Sequence, residues 1–225
     1  AALVAYARAE RAAELAAAGR DVSRTETGFR VADLDVSFVA GDATKAVRNG
    51  DSAPDLVVAQ AFMDLVPVEE TVALFEDALA PGGLAYFPIT FDGGTVFQPD
   101  HPDDDAVEAA YHRAIDADPG RDSRAGRHLL DCLRRGDGDL LAVDASDWVV
   151  HPHDGVYPAD EAHFLDCILG FVDDALSESD VDARDWLATR RAQLDAGELS
   201  YVAHGYDLLY RAGGNETGTA QPSDR

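Results

Sequence analysis

The sequence predicts an α/β fold, and two features indicate this class. Short apolar runs that suit buried strands alternate with longer segments whose apolar residues recur every three or four positions, as on one face of a helix. In residues 55–91, a strand, a helix and a second strand follow one another directly. Because a helical crossover of this kind joins parallel strands, we expect a sheet that is largely parallel.

Length, composition and charge limit the class of protein. The chain has 225 residues, of which 46% are hydrophobic, and a formal net charge of -25. The apolar fraction can build a core, which excludes a disordered tail, and the negative charge argues against a nucleic-acid partner. No apolar run approaches the roughly 18 residues of a membrane helix, and no signal segment opens the chain. We therefore expect a cytoplasmic protein without a membrane partner.

The charged residues are strongly biased towards a few types. The chain has 32 Asp against 11 Glu, and 17 Arg against one lysine, Lys45. Such a surface is typical of proteins that stay soluble in concentrated salt, where self-repulsion is screened within about 3 Å at 1 M. We therefore predict a halophilic protein.

The first half of the chain contains two helix patterns and three strand patterns. Gly19, Gly41 and the pair Pro81-Gly82 mark the ends of successive elements, because glycine and proline favour turns. The expected elements are a helix over 2–18, a polar segment over 20–30, a strand over 36–40, a strand over 55–59, a helix over 68–79 and a strand over 84–91.

The second half begins with a loop-like segment and ends in a polar tail. Asp180 is expected to act as the N-cap of one of its helices. The expected elements are a short helix over 107–115, helices over 126–135, 159–176 and 181–194, and strands over 139–145 and 200–210. We expect one domain over 1–212, with a substrate-lid segment over 92–125, a helical insertion over 148–197 and a disordered tail over 213–225.

The order of these segments resembles that of the class I S-adenosylmethionine-dependent methyltransferases. The resemblance rests on the strand ending in Gly41-Asp42-Ala43, the strand at 55–58, the turn Pro81-Gly82-Gly83 before the next strand, and the final pair of strands. It implies a Rossmann-like sheet, S-adenosyl-L-methionine as cofactor, and methyl transfer to a small-molecule acceptor. The oligomeric state and the acceptor atom stay open.

The chain departs from this family at its beginning. The family's first strand leads into a glycine-rich turn and its second strand ends in an acidic residue, whereas this chain opens with a helix that resembles the family's second helix. We expect a fragment whose first strands lie upstream, rather than a natural variant without them. The alternative function is a non-catalytic acidic α/β interaction domain on the same scaffold.

The resemblance also implies a set of cofactor-binding residues. Asp42 would accept a hydrogen bond from the adenine amine, Leu3 would pack on adenine, and the exit of the strand at 55–59 would line the methyl-transfer site. The predicted set is Leu3, Asp42, Ala43, Gln60, Ala61 and Phe62. Asp42 can equally be an ordinary turn carboxylate, and Leu3 and Phe62 can equally be core residues. No catalytic residue follows from the family.

The lid segment supplies the predicted substrate-binding residues Tyr111, His112, Arg124 and Arg127. Arginine offers bidentate geometry to a carboxylate or phosphate, and a histidine can act as a general base near pH 7. Alternatively, the arginines pair with neighbouring aspartates such as Asp116, Asp118 and Asp122, and the histidine is a surface residue.

No metal or disulfide is expected. His151 and His153 lie one residue apart, but no further cluster of ligands accompanies them in the sequence. Cys132 and Cys167 lie in separate helix patterns, where buried reduced thiols are the expected state.

Overall fold

A computed structural model describes residues 2–50, 52–177 and 179–213. It divides into two compact units, residues 1–50 and 51–225. The helices are α1 (Ala2–Ala17), α2 (Ala43–Arg48), α3 (Val68–Ala78), α4 (Asp104–Ala117), α5 (Ala125–Arg135), α6 (Glu161–Leu176) and α7 (Arg184–Asp195). The strands are β1 (Val22–Arg24), β2 (Gly28–Val31), β3 (Leu34–Ser37), β4 (Leu56–Val58), β5 (Leu84–Gln98), β6 (Asp139–Ala145), β7 (Trp148–Val150) and β8 (Ser200–Arg211).

The first unit contains α1, α2 and a three-stranded antiparallel sheet in the order β1-β2-β3. Phe29 and Ala12 are its buried apolar residues, and the ring of Phe29 lies 6.0 Å from that of Phe38. Gly28 is required here, because a Cβ at this position would lie 1.7 Å from the carbonyl oxygen of Val36. The backbones of β2 and β3 can approach this closely only at glycine.

One prediction for this unit was wrong, and one segment contains strands for which no prediction was made. The polar segment 20–30 contains β1 and most of β2. The strand expected over 36–40 is β3, which ends at Ser37 and pairs antiparallel with β2 instead of joining a parallel sheet. A hairpin partner close in sequence therefore decides the pairing of this strand, which its residues alone do not specify.

The second unit is built on a mixed sheet in the order β4-β5-β8-β6, with β7 also paired to β8. β4 and β5 are parallel, and β8 runs antiparallel to β5, β6 and β7. The α/β class is thereby confirmed, but the largely parallel sheet was a wrong prediction. Among the strands that the structure describes in this unit, only β4 and β5 form a parallel pair, joined by α3, because β6, β7 and β8 pair through antiparallel ladders.

Strand β5 is longer than predicted and extends into the segment that was expected to be loop-like. Residues 92–98, expected as loop, continue β5 opposite β8, and the pair Gly93-Gly94 lies at a break in the register. At a β-bulge, extra residues of one strand stay unpaired while the ladder continues on both sides. A Gly-Gly pair can therefore lie inside a strand. Helix α7 begins at Arg184 with Ala183 as its N-cap, so Asp180 does not cap it.

Helices cover the sheet through two groups of buried side chains. Phe75 of α3 stacks on Phe87 of β5 at 6.1 Å, and Leu129 and Leu133 of α5 are fully buried. A second cluster joins β5 and β8 to α4, α6 and α7. Its fully or almost fully buried members include Val107, Val150, Leu165, Leu169, Trp186 and Leu199. The segment predicted as a helical insertion, 148–197, therefore carries much of the core and also contains β7.

Among the described helices, none is long and apolar enough to cross a membrane. The predicted disordered tail falls outside the described residues from position 214 onward.

Candidate functional site

A cavity of about 1170 Å³ opens in the second unit, beside the carboxyl end of β4 and the part of β5 that follows its parallel pairing with β4. Ala61 follows β4, Ile89 and Phe91 belong to β5, and all three line the cavity. Residues of α4, α6 and β8 complete its walls. In open α/β sheets, ligands bind outside the carboxyl ends of the strands, so this cavity is the candidate site.

The end of β4 delivers Ala61 to the cavity. The parallel ladder continues beyond the strand, because the Ala59 N–H donates to the Tyr86 carbonyl (2.9 Å) and the Ala61 N–H donates to the Pro88 carbonyl (3.0 Å). Ala61 has a φ of 46° and therefore turns the chain at the cavity edge. Of its two predicted companions, Gln60 is exposed and Phe62 is half-buried.

A carboxylate from β8 holds β5 at the break in register between Phe87 and Thr90. Ile89 has a φ of 55°, and its N–H donates to Asp207 Oδ1 at 2.8 Å. The Tyr86 hydroxyl donates to Asp207 Oδ2 at 3.2 Å. Burial opposes ionisation of Asp207, but the hydrogen bonds from the Ile89 N–H and the Tyr86 hydroxyl favour the ionised form, and the pKa of Asp207 is lowered. The Asp207 carboxylate thus holds Ile89 in a left-handed backbone conformation at the cavity wall.

Two predicted substrate-binding residues lie on α4. Tyr111 lines the cavity, and burial raises the pKa of its hydroxyl. His112 places Nε2 3.3 Å from Thr95 Oγ1, and its ring meets the edge of Phe91 at 5.8 Å. Burial lowers the pKa of His112 and thereby favours the neutral ring.

The two predicted arginines of α5 differ in their contacts. Arg124 precedes the helix, is exposed, and uses its backbone N–H to bond Asp122 at 2.8 Å. Arg127 forms an ion pair with Asp92, whose side chain is 2% exposed. Pairing with aspartate is therefore present for Arg127, although the partner is Asp92 of β5 and not one of the neighbours in sequence. Those neighbours are also engaged, since Asp116 accepts from Ser123 and Asp122 bonds His128.

The remaining predicted cofactor residues belong to the first unit. Leu3 lies on α1 with 77% of its surface exposed. Asp42 is the N-cap of α2, the helix that begins at Ala43, and its Oδ1 accepts from the Lys45 N–H (3.1 Å) and the Thr44 hydroxyl (2.6 Å). The Thr44 bond, followed by those from Lys45, lowers the pKa of Asp42 to about 2. The turn around Asp42 is thus explained by helix capping.

A histidine that the sequence reasoning did not select lies on the cavity wall. His204 of β8 lines the cavity, and its Nδ1 lies 2.6 Å from Oδ1 of Asp147. Asp147 lies in the link between β6 and β7. The alternation of β8 places His204 on the strand, but Asp147 is 57 residues away and only the sheet pairing brings it near.

No group of three or more metal-binding side chains is present in the part of the chain that the structure describes. The rings of His151 and His153 lie 4.3 Å apart.

No family model matches the chain, and no curated protein matches it. Among solved structures, a methyltransferase candidate from Bacillus halodurans C-125 aligns with 80% of this chain and 72% of its own, at 12% identity and a TM-score of 0.44. An S-adenosylmethionine-dependent methyltransferase from Thiobacillus denitrificans in complex with S-adenosyl-L-homocysteine aligns at 17% identity and a TM-score of 0.35. A counterpart from Geobacter sulfurreducens, with the same ligand, aligns at 16% identity and a TM-score of 0.34. For both of the latter, 78% of this chain covers 64% of the matched chain, so it spans less than two thirds of their length.

Proposed function

We propose that the protein transfers a methyl group from S-adenosyl-L-methionine to a small-molecule acceptor. The cavity at the carboxyl end of β4, beside the part of β5 that follows its parallel pairing, carries this proposal. Its volume of about 1170 Å³ exceeds the usual range of small-molecule sites, so it has room for a nucleoside cofactor and an acceptor side by side.

The resemblance of the sequence supports the choice of reaction. The motifs of residues 41–43 and 79–84, with the strand at 55–58 between them, resemble those of the class I methyltransferases in order and spacing. In the second unit, β4 and β5 are parallel, and β8 runs antiparallel between β5 and β6.

The residues at the cavity fit the chemistry of this cofactor in part. Ala61 is a small apolar residue at the end of β4, and Asp64 offers a carboxylate that can accept hydrogen bonds from an amine. When bound, the cofactor supplies an already activated sulfonium methyl group. The protein then mainly aligns the acceptor and excludes water, with a base where the acceptor must lose a proton.

The charge of the protein bears on the kind of acceptor. With a formal net charge of -25, the surface repels nucleic acid, so a small molecule is the acceptor in this proposal. A cytoplasmic location belongs to the same proposal, because Cys132 and Cys167 are free thiols.

The test is the binding of S-adenosyl-L-homocysteine to the protein expressed from its complete gene. We expect the melting temperature to rise with ligand concentration, and at 100 times Kd the stabilisation should be about 2.7 kcal/mol. The variant Ala61→Arg, which places a long side chain at the cavity edge, should reduce the shift, whereas Ala9→Arg on α1 serves as a control outside the cavity. If millimolar ligand leaves the melting temperature unchanged, the enzyme assignment fails and the non-catalytic interaction domain becomes the better explanation.

A further inference from the structure

His204 and Asp147 form a hydrogen-bonded pair on the wall of the cavity. Nδ1 of the histidine lies 2.6 Å from Oδ1 of the aspartate, with side-chain exposures of 37% and 50%. An ionised carboxylate only accepts hydrogen bonds, so Nδ1 must carry the hydrogen. In the neutral ring, Nε2 is then the acceptor and is able to take a proton.

The strands around this pair hold it in place. In the sheet, His204 is opposite Gly94 of β5, and a Cβ at Gly94 would lie 2.6 Å from the Cβ of His204. The bulge at Gly94 therefore leaves the space that the histidine occupies. On the other side of β8, the Ser146 N–H donates to the Gly205 carbonyl at 2.9 Å, which fixes the residue next to Asp147.

The cavity that His204 lines also has an aromatic wall. Trp148 stacks on Phe164 with ring centroids 4.3 Å apart and an interplanar angle of 24°. Phe164 in turn meets Tyr201 at 5.9 Å. The aromatic lining residues are Phe91, Tyr111, Trp148, Phe164, Phe171 and Tyr201.

Two of these rings are unusually accessible. Trp148 is 47% exposed and Phe171 is 58% exposed, although both are large apolar side chains. Exposed aromatic faces in a cavity favour a flat, apolar ligand that stacks on them. Four aspartate carboxylates line the cavity against two guanidinium groups, those of Arg113 and Arg121. The lining therefore carries more negative than positive charge, which disfavours an acceptor that arrives with a negative charge.

We propose that the methyl acceptor is a neutral aromatic molecule with an ionisable hydroxyl group, and that His204, oriented by Asp147, is the catalytic residue that removes its proton. This rests on the proposed methyl transfer. The O–H bond breaks as the proton passes to Nε2, and a lone pair of the oxygen forms the new bond to the methyl carbon while the carbon–sulfur bond of S-adenosylmethionine breaks. The products are an aryl methyl ether and S-adenosylhomocysteine, and the imidazolium of His204 returns its proton to water. Asp147 is a positioning residue, since it acts through the histidine.

The first test uses 4-nitrophenol as a probe and needs no cofactor, because the phenolate of this compound absorbs visible light. In mildly acidic buffer, we expect the phenolate absorbance to rise when the probe is mixed with the protein. The variant His204→Gln should abolish the rise and Asp147→Asn should weaken it. If His204→Gln does not fold, Asp147→Asn carries the test.

The chain offers a matched control for this experiment. His128 and Asp122 form another histidine–aspartate pair, with Nδ1 2.5 Å from Oδ2, and His128 lies on α5 and does not line the cavity. His128→Gln should therefore leave the absorbance rise unchanged. With labelled cofactor, methyl transfer to a phenol should fall by about 10²- to 10⁴-fold in His204→Gln, the usual contribution of a general base.

The outcomes separate this proposal from the proposed function. A rise in absorbance that persists in His204→Gln overturns the role of the histidine. Absence of any binding of the probe to the wild-type protein overturns the aromatic acceptor, while a melting shift with S-adenosylhomocysteine would keep methyl transfer intact. Conversely, a histidine-dependent absorbance rise without that melting shift would retain the aromatic hydroxyl site and reject methyl transfer.

Discussion

Arg127 and Asp92 form a bidentate ion pair that joins the first turn of α5 to β5. Arg127 Nη2 lies 2.8 Å and Nε 3.0 Å from Asp92 Oδ2, and the Arg127 backbone N–H donates to Oδ1 at 2.8 Å. The carboxylate of Asp92 is buried, whereas the arginine side chain is half exposed. The positive end of the helix and the guanidinium therefore stabilise the same buried charge.

Replacing Arg127 should destabilise the fold, because a buried carboxylate would lose its charged donors. We expect Arg127→Met to lower the free energy of unfolding by about 1–3 kcal/mol, measured by urea denaturation. Arg124→Met is the matched control, since this exposed neighbour contributes a backbone bond only, and its effect should stay within about 0.5 kcal/mol. Equal stability of the two variants would show that Arg127 is free for another role, such as binding the acceptor.

A second prediction concerns the ion pair of Asp104 and Arg190. Arg190 is fully buried, its Nη2 lies 2.5 Å from Asp104 Oδ1, and Trp186 Nε1 donates to the same oxygen at 2.7 Å. Loss of one partner leaves a buried charge, so Asp104→Asn should lower the free energy of unfolding by roughly 3 kcal/mol. A double-mutant cycle with Arg190→Met should show that the two effects are not additive, and additivity would contradict a direct pair.

The same carboxyl group gives a pH dependence. Burial opposes ionisation of Asp104, but the bonds from Arg190, Trp186 and the His101 N–H outweigh it and lower its pKa. Because the pKa of Asp104 is lower in the folded than in the unfolded state, its ionised carboxylate stabilises the fold at pH values above the unfolded pKa of about 3.9. This stabilisation is lost as pH falls through the lowered pKa of the folded state. Asp104→Asn should therefore show a flatter loss of stability below about pH 4.

Tyr210 should make the stability of the fold depend on pH in alkaline solution. Its hydroxyl donates to Glu76 and accepts from the Gly138 N–H at 2.8 Å, and burial together with Glu76 raises the pKa of Tyr210 to about 12. The native state binds the proton of the Tyr210 hydroxyl more tightly than the unfolded state does. The resulting stabilisation of the fold is complete below the unfolded pKa of about 10 and is lost as pH rises to about 12. Unfolding measured across this window should depend less on pH in Tyr210→Phe, whereas Tyr6→Phe, at an exposed tyrosine of α1, should match the wild type.

Asp42 can be tested for its two alternative roles. Asp42→Ser keeps an oxygen that can cap α2 but removes the carboxylate, whereas Asp42→Ala removes both. If the carboxylate holds adenine, both variants should weaken S-adenosylhomocysteine binding by about 1–3 kcal/mol, measured by calorimetry on the protein from its complete gene. Binding that is unchanged in Asp42→Ser would leave Asp42 as a helix cap.

The acidic composition predicts a response to salt. With a net charge of -25, raising KCl to molar concentrations should screen self-repulsion and raise the melting temperature by about 5 °C or more, equivalent to roughly 1–2 kcal/mol. A titration with sucrose at matched water activity controls for general effects of a cosolute. A melting temperature that falls between dilute buffer and molar KCl would contradict the halophilic interpretation.

The sequence by itself determined the elements whose periodicity is strong. The apolar spacing correctly predicts helices α1, α3 and α6 and strands β4, β6 and β8. The apolar face of a helix and the alternation of a strand depend only on residues close together in the sequence. The sequence also pointed to the residues that follow β4, because the apolar run of this strand stops at Gln60. Of these residues, Ala61 lines the cavity.

Only the tertiary structure decided which strands pair and which side chains meet. The extension of β5 through Gly93-Gly94 and the partner of Arg127 depend on residues that are distant in sequence. His204 shows this most clearly, because its histidine lies on a predictable strand while Asp147 reaches it only through the ladders of β6, β7 and β8. Local spacing fixes the direction of side chains along one element, but long-range pairing fixes their partners.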